Sequence, residues 1–217
     1  MIITLVNPNT SHETTAAMVE IAREETTGRA EIVGVTARSG APLITDPQAL
    51  AAATRAVEDL TQELKEADAV ILAAFGDPGL RPLRDCLDCY VTGIAEAGMA
   101  EAGQDGRPFA VVTTTPQLCK SISASAQQYG HRHFLGTWTT PGDPTALMRT
   151  PATLTRALED ACDRAITEGG AQAVVIGGGP LARAARSLSR QRPVPIIEPL
   201  PAAVRLTLER LNAAAEA

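Results

Sequence analysis

Ala69-Val70-Ile71-Leu72-Ala73-Ala74-Phe75-Gly76 is an apolar run that ends in a glycine-bearing turn, and the second half of the chain echoes it in Ala173-Val174-Val175-Ile176-Gly177-Gly178-Gly179-Pro180. Each reads as a strand covered on both faces, then a tight turn, then a helix. A second echo pairs Ile3-Thr4-Leu5-Val6-Asn7-Pro8-Asn9-Thr10 with Ala110-Val111-Val112-Thr113-Thr114-Thr115-Pro116, again a strand feeding a polar turn into a helix. Two similar units are implied. Outward from these stretches, short apolar runs alternate with longer Ala/Leu/Glu-rich segments of helical period, the pattern of parallel strands joined by crossover helices. This predicts an α/β fold with strands over residues 2–6, 31–35, 69–73, 91–94, 109–113, 134–137, 173–176 and 194–197. Helices are predicted over 11–27, 47–65, 80–88, 116–129, 151–168, 180–189 and from 199 to the C-terminus, several opening on a proline whose missing N–H costs nothing there. The lobes are expected to be residues 1–95 with 196–217, and residues 96–195. Ligands of open parallel sheets sit beyond the carboxyl ends of the strands, so all four turns are expected around one cleft between the lobes.

Composition narrows the function. The chain has 217 residues, 45% of them hydrophobic, enough for a sizeable core and too many for disorder. Nineteen Lys and Arg against 25 Asp and Glu give a net charge of −6 with no basic block, which removes the footprint of a nucleic-acid binder. Aromatic residues, at 3%, are too scarce for base-stacking platforms or aromatic interface anchors. No apolar run reaches the ~20 residues that span a bilayer, and no basic, cleavable leader follows Met1. A cytoplasmic chain acting on a small molecule, without nucleic-acid or membrane partners, is the expectation. Cys86, Cys89, Cys119 and Cys162 are too few for a disulfide scaffold and are expected as thiols.

The turns carry the candidate chemistry. In Asn7-Pro8-Asn9-Thr10-Ser11 the spacing of Thr10 and Glu13 suits a capping box; capping does not call for two asparagines, so Asn7 and Asn9 are read as ligand contacts at a helix N-terminus. Phe75-Gly76-Asp77-Pro78-Gly79-Leu80 sets one acid among turn residues, where Asp77 either caps the next helix or faces the cleft as a base. Thr113-Thr114-Thr115 offers hydroxyls where a helix starts, a place suited to a carboxylate or anion and equally to strand and cap propensity. Gly177-Gly178-Gly179 can offer only backbone N–H groups and close approach, and with Pro180 following it is no dinucleotide fingerprint. Cys119 sits in a first helical turn, where a thiol is either activated or merely buried. Glu96 and Glu198 follow strand ends, and Asp46 precedes Pro47 as a helix cap. The Cys86-x-x-Cys89 pair lacks a second pair, and His131 and His133 lack a third ligand, so no metal site is expected.

Taken together and in this order, these segments resemble the aspartate/glutamate/hydantoin racemase superfamily, in particular its hydantoin and allantoin racemase branch. The matching residues are Val6-Asn7-Pro8-Asn9-Thr10-Ser11, Phe75-Gly76-Asp77-Pro78-Gly79-Leu80, Gly93-Ile94-Ala95-Glu96-Ala97, Val111-Val112-Thr113-Thr114, Tyr129-Gly130 and the apolar strand before Gly177. The resemblance implies two pseudo-symmetric, Rossmann-like α/β lobes with parallel sheets, substrate between them, no cofactor or metal, and a homo-oligomer. It also implies one cysteine at the end of each lobe's central strand, the pair moving a proton on opposite faces of a carbon acid. Here those positions hold Ala74 and Gly178, neither of which can transfer a proton. The resemblance carries ligand contacts to Asn7, Thr113 and Thr114, with Phe75, Asn9 and the turn of Gly177, Gly178 and Gly179 beside them. With the thiols gone, the expected chemistry is hydrolytic cleavage, for example desulfurisation, of a hydantoin-like or thiohydantoin-like ring or a small amino-acid-derived carboxylate. Asp46, Asp77, Glu96 and Glu198 are the candidates to activate water, with Cys119 as a candidate nucleophile. A racemase working through carboxylates and a catalytically silent ligand-binding homologue are the competing expectations.

Overall fold

The computed structural model describes residues 1–188 and 194–215. The echoed strands fall where the repeat places them, at equivalent positions in two four-stranded parallel sheets. The first sheet holds β1 (Ile2–Asn7), β2 (Glu31–Thr36), β3 (Ala69–Leu72) and β4 (Tyr90–Gly93) in the order β2-β1-β3-β4. The second holds β5 (Phe109–Thr113), β6 (Phe134–Thr139), β7 (Ala173–Ile176) and β8 (Ile196–Ile197) in the order β6-β5-β7-β8. Every pairing between them is parallel, so β3 corresponds to β7 and β1 to β5.

The period of two along a strand explains why the central strands read as unbroken apolar runs. In β3, Ala69 and Ile71 face a core shared by both lobes, while Val70 and Leu72 face the first lobe's own cluster with Val57, Leu60 and Leu83. In β5, Phe109 and Val111 enter the shared core, and Ala110 and Val112 pack under Leu154, Leu158 and Ala161. One face of each sheet therefore joins the lobes, and the other is covered locally.

Crossover helices α1 (His12–Thr26), α2 (Pro47–Glu58), α3 (Leu80–Cys86) and α4 (Ile94–Ala102) belong to the first half. They are followed by α5 (Cys119–Gln128), α6 (Pro144–Met148), α7 (Pro151–Thr167), α8 (Ala182–Leu188) and α9 (Pro199–Ala215). None of the described helices is long and apolar enough to cross a membrane.

Several boundaries differ from the sequence reading. The helix expected over 47–65 stops at Glu58, because the Thr61 hydroxyl donates to the Glu58 carbonyl at 2.7 Å and the chain continues in tight i→i+3 turns. Those turns still bury Leu60 and Leu64. The helix expected from Pro116 begins with a 3₁₀ turn over Pro116–Leu118. The strand expected over 194–197 shortens to Ile196–Ile197, since Pro195 has no N–H for the ladder and contributes only its carbonyl, which accepts from Val174 N at 3.0 Å. β8 pairs with β7, and α9 packs on α4, α1 and β4. The short α6 was not anticipated, although Asp143 before Pro144 is a cap signal and accepts from Ala146 N at 2.8 Å. The expected helix end at Ser189 and the last two residues of the C-terminal helix lie outside the described residues.

Candidate functional site

A cavity of about 50 Å³ opens where the carboxyl ends of β1, β3, β5 and β7 converge. Asn9, Ala73, Ala74 and Phe75 line it from the first lobe, and Thr113, Thr114, Thr115 and the turn from Gly177 to Leu181 from the second. Its outer wall is apolar: Leu43 and Ile44 from the loop before α2, Leu118 and Ile122 at the start of α5, and Met148 at the end of α6.

Each lining turn is held by its own hydrogen bonds. The Asn7 amide nitrogen reaches Asn9 Oδ1 (2.8 Å), the Ser11 carbonyl (3.1 Å) and Thr15 Oγ1 (3.0 Å), and its Oδ1 accepts from Asn9 N. Asn7 is fully buried behind the cavity wall and stiffens the turn. Asn9 Oδ1 also accepts from Ser11 N, so what Asn9 has left for a ligand is its amide NH₂. The cap of α1 is Ser11, accepting from Thr14 N at 3.2 Å, one residue later than the expected Thr10. In the second lobe Thr113 Oγ1 and Thr115 Oγ1 lie 3.0 Å apart, and all three threonines are buried.

The glycine turn sets how near the lobes come. A Cβ on Gly177 would stand 2.8 Å from Val111 Cγ1 and 3.0 Å from Phe75 Cε1, and one on Gly179 would stand 2.8 Å from the Ala73 carbonyl oxygen. A side chain at Gly177 would have to displace Val111 and Phe75, and one at Gly179 the Ala73 backbone of the facing lobe.

The acidic candidates are placed elsewhere. Asp77, in left-handed backbone at φ 47°, does not cap the adjacent α3, whose N-cap is Gly79. Its buried carboxylate instead accepts from Ala95 N (2.9 Å) and Glu96 N (2.8 Å) at the start of α4, and from the Tyr129 hydroxyl (2.7 Å) of the other lobe. Burial outweighs these bonds and pushes its pKa up to about 6. The carboxylate occupies the space over Gly93, where a Cβ would fall 2.2 Å from Asp77 Cγ. Glu96 is bracketed by Arg84 (2.7 Å) and Arg210 (3.2 Å); burial opposes ionisation, but these two guanidiniums prevail and hold its pKa low. Asp46 caps α2 through Ala49 N at 2.8 Å, and Glu198 pairs with Arg186. Cys119 is half-buried at the start of α5, and burial raises its thiol pKa, the opposite of activation.

The cavity thus gathers Asn9, Phe75, Thr113, Thr114, Gly177, Gly178 and Gly179, and leaves Asn7, Asp46, Asp77, Glu96, Glu198 and Cys119 outside its lining. Ala74 and Gly178 both line it. Among the described residues around it there is no carboxylate, imidazole, thiol, phenol, ammonium or guanidinium. His131 sits apart, its ring edge-on to Phe109 at 5.3 Å, with burial lowering its pKa. The sequence reading did not assign the apolar wall. Its one signal was Leu43-Ile44, two large apolar residues inside a loop.

The Asp/Glu/hydantoin racemase family model matches residues 3–207, nearly the full length. The chain belongs to the Asp/Glu/hydantoin racemase family. It is 29% identical over 211 residues to the hydantoin racemase of Pseudomonas sp. (strain NS671), covering 94% of this chain and 84% of that protein. Among solved structures it is similar to the allantoin racemase of Klebsiella pneumoniae (TM-score 0.92, 32% identity, 99% of this chain and 89% of that one). It is also similar to the allantoin racemase of Pseudomonas fluorescens (TM-score 0.93, 26% identity, 99% and 92%). The family fold and the two-lobed arrangement agree throughout.

Proposed function

We propose that this chain is an enzyme that takes a small, neutral ring of the hydantoin type into the interlobe cavity and promotes proton exchange at the carbon beside a ring carbonyl, without paired thiols. The carrying observation is the lining: hydroxyls of Thr113, Thr114 and Thr115, the Asn9 amide and backbone groups of Gly177 to Gly179, with no titratable side chain. Removing a proton beside a carbonyl moves charge onto the oxygen, and fixed donors aimed there lower the barrier. Solvent water takes the proton, and its return to either face of the planar carbon racemises the ring. Near-full-length likeness to hydantoin and allantoin racemases supports proton exchange. Hydrolytic cleavage or desulfurisation gains no such support: the relatives named are racemases, and each acid offered to activate water is engaged in a cap or an ion pair outside the lining.

The test is incubation of the purified protein with 5-substituted hydantoins and allantoin in deuterated buffer, following deuterium uptake, optical rotation and product mass. Deuterium at the stereocentre of intact ligand, slowed when Thr114 is changed to Val, is the expected result. Ligand binding with no exchange would instead make this a capture protein, and a mass change from ring opening would restore hydrolysis.

A further inference from the structure

The cavity is small, about 50 Å³, and shares part of its wall with a neighbouring concavity. Met148, Gly179 and Pro180 line both this cavity and a second concavity of about 440 Å³ between α1, α7 and α8. Apolar Met18, Ile21, Pro151 and Leu154 share the lining of that groove with charged Glu13 and Arg183. Met18 packs against the shared turn so closely that a Cβ on Gly179 would stand 3.0 Å from its sulfur. Of the three residues that cavity and groove share, Met148 alone carries a flexible, unbranched side chain, and it is partly exposed. A thioether side chain of this kind changes rotamer at little cost.

We propose that the groove is an extension of the ligand site, which takes a long, unbranched apolar substituent of the ring as it passes Met148. This rests on the hydantoin-type reading above and adds to it the class of substituent. The polar residues of the cavity, Asn9 and the threonines, lie at the strand ends and hold the ring, while Met148 and Ile44 form the side from which the tail leaves. Met148 then acts as the specificity-determining residue, setting how long a tail is admitted. Ala17, partly exposed on α1, lines the groove and not the cavity, so filling its position alters only the outer room.

The experiment titrates 5-methyl-, 5-propyl-, 5-hexyl- and 5-octylhydantoin against the wild-type chain, Ala17→Trp and Met148→Ala, reading Kd calorimetrically. Each methylene buried in the groove should tighten the wild-type complex about fourfold, so hexyl and octyl should gain steeply over propyl. Ala17→Trp should erase that gain and leave methyl and propyl unchanged, and Met148→Ala should weaken the short ligands and spare the long ones. Affinity that stays flat from propyl to octyl, or a length gain that persists in Ala17→Trp, overturns the extension while leaving the ring site standing. Failure of every hydantoin to bind a folded wild-type chain overturns both.

Discussion

Strand β3 is followed by the turn Ala73-Ala74-Phe75-Gly76-Asp77, and its counterpart β7 by Gly177-Gly178-Gly179-Pro180. The first ending uses a side chain to join the lobes: Asp77 reaches past its own helix to the start of α4 and receives the hydroxyl of Tyr129. The second uses the lack of side chains, letting Phe75 and the Ala73 carbonyl approach its bare backbone. Both devices place the lobes and leave the cavity floor empty of ionisable groups. Two halves built on the same strand pattern have thus divided one structural task, and the acid that looks catalytic in the sequence is the one that holds the architecture.

The strongest way to break this comparison is to give both endings the same group. Ala74→Cys with Gly178→Cys should raise deuterium exchange on a bound hydantoin by at least about 100-fold, the usual scale of a positioned acid or base; either single change should give less. At Gly178 a Cβ meets Leu181 Cγ and Cδ1 at 3.1 Å, so the leucine must shift slightly. A double variant no faster than wild type would show that proton transfer is not what the floor lacks. Next in size, Asp77→Ala leaves Ala95 N, Glu96 N and the Tyr129 hydroxyl without their partner and should cost about 3 kcal/mol in urea unfolding. Gly179→Ala pushes a methyl against the Ala73 carbonyl and should cost about 2 kcal/mol while Asp77 is untouched. Tyr129→Phe removes one donor to the carboxylate and should cost about 1.5 kcal/mol.

Titration sharpens the same contrast. Because the folded pKa of Asp77 is raised from 3.8 to about 6, the folded chain binds that proton more readily than the unfolded chain. Its contribution to stability therefore grows as pH falls through about 6 and levels off below about 4. The stability difference between wild type and Asp77→Asn should follow that curve in favour of wild type at the acid end. A difference that shrinks on acidification would mean that the carboxylate is held charged by α4 and not neutralised by burial.

Much of the fold was readable because covered parallel strands leave a signal that survives without context: a short apolar run, then a turn. The two echoes located β1, β3, β5 and β7, and with them the cavity mouth. What escaped reading depends on contacts between distant segments. Asp77 beside Pro78 looks like a local cap, yet it caps a helix that begins at Ile94, because Gly93 leaves room for the carboxylate and the fold brings the two turns together. Tyr129 shows no motif of partnership with it. Met148, Ile122 and Leu118 look like ordinary helix residues until the loop of Leu43 and Ile44 folds across from them. The glycines at 177, 178 and 179 were legible as a close approach, while what approaches them, Phe75 and Ala73, was not.

The core shared by β1, β3, β5 and β7 has a consequence for motion. Since one face of each sheet is buried against the other lobe, prising the lobes apart would expose that whole apolar seam, which couples their unfolding into a single cooperative transition. Away from that seam the cavity is closed by lighter structure, the loop of Leu43 and Ile44 and the short helix ending at Met148.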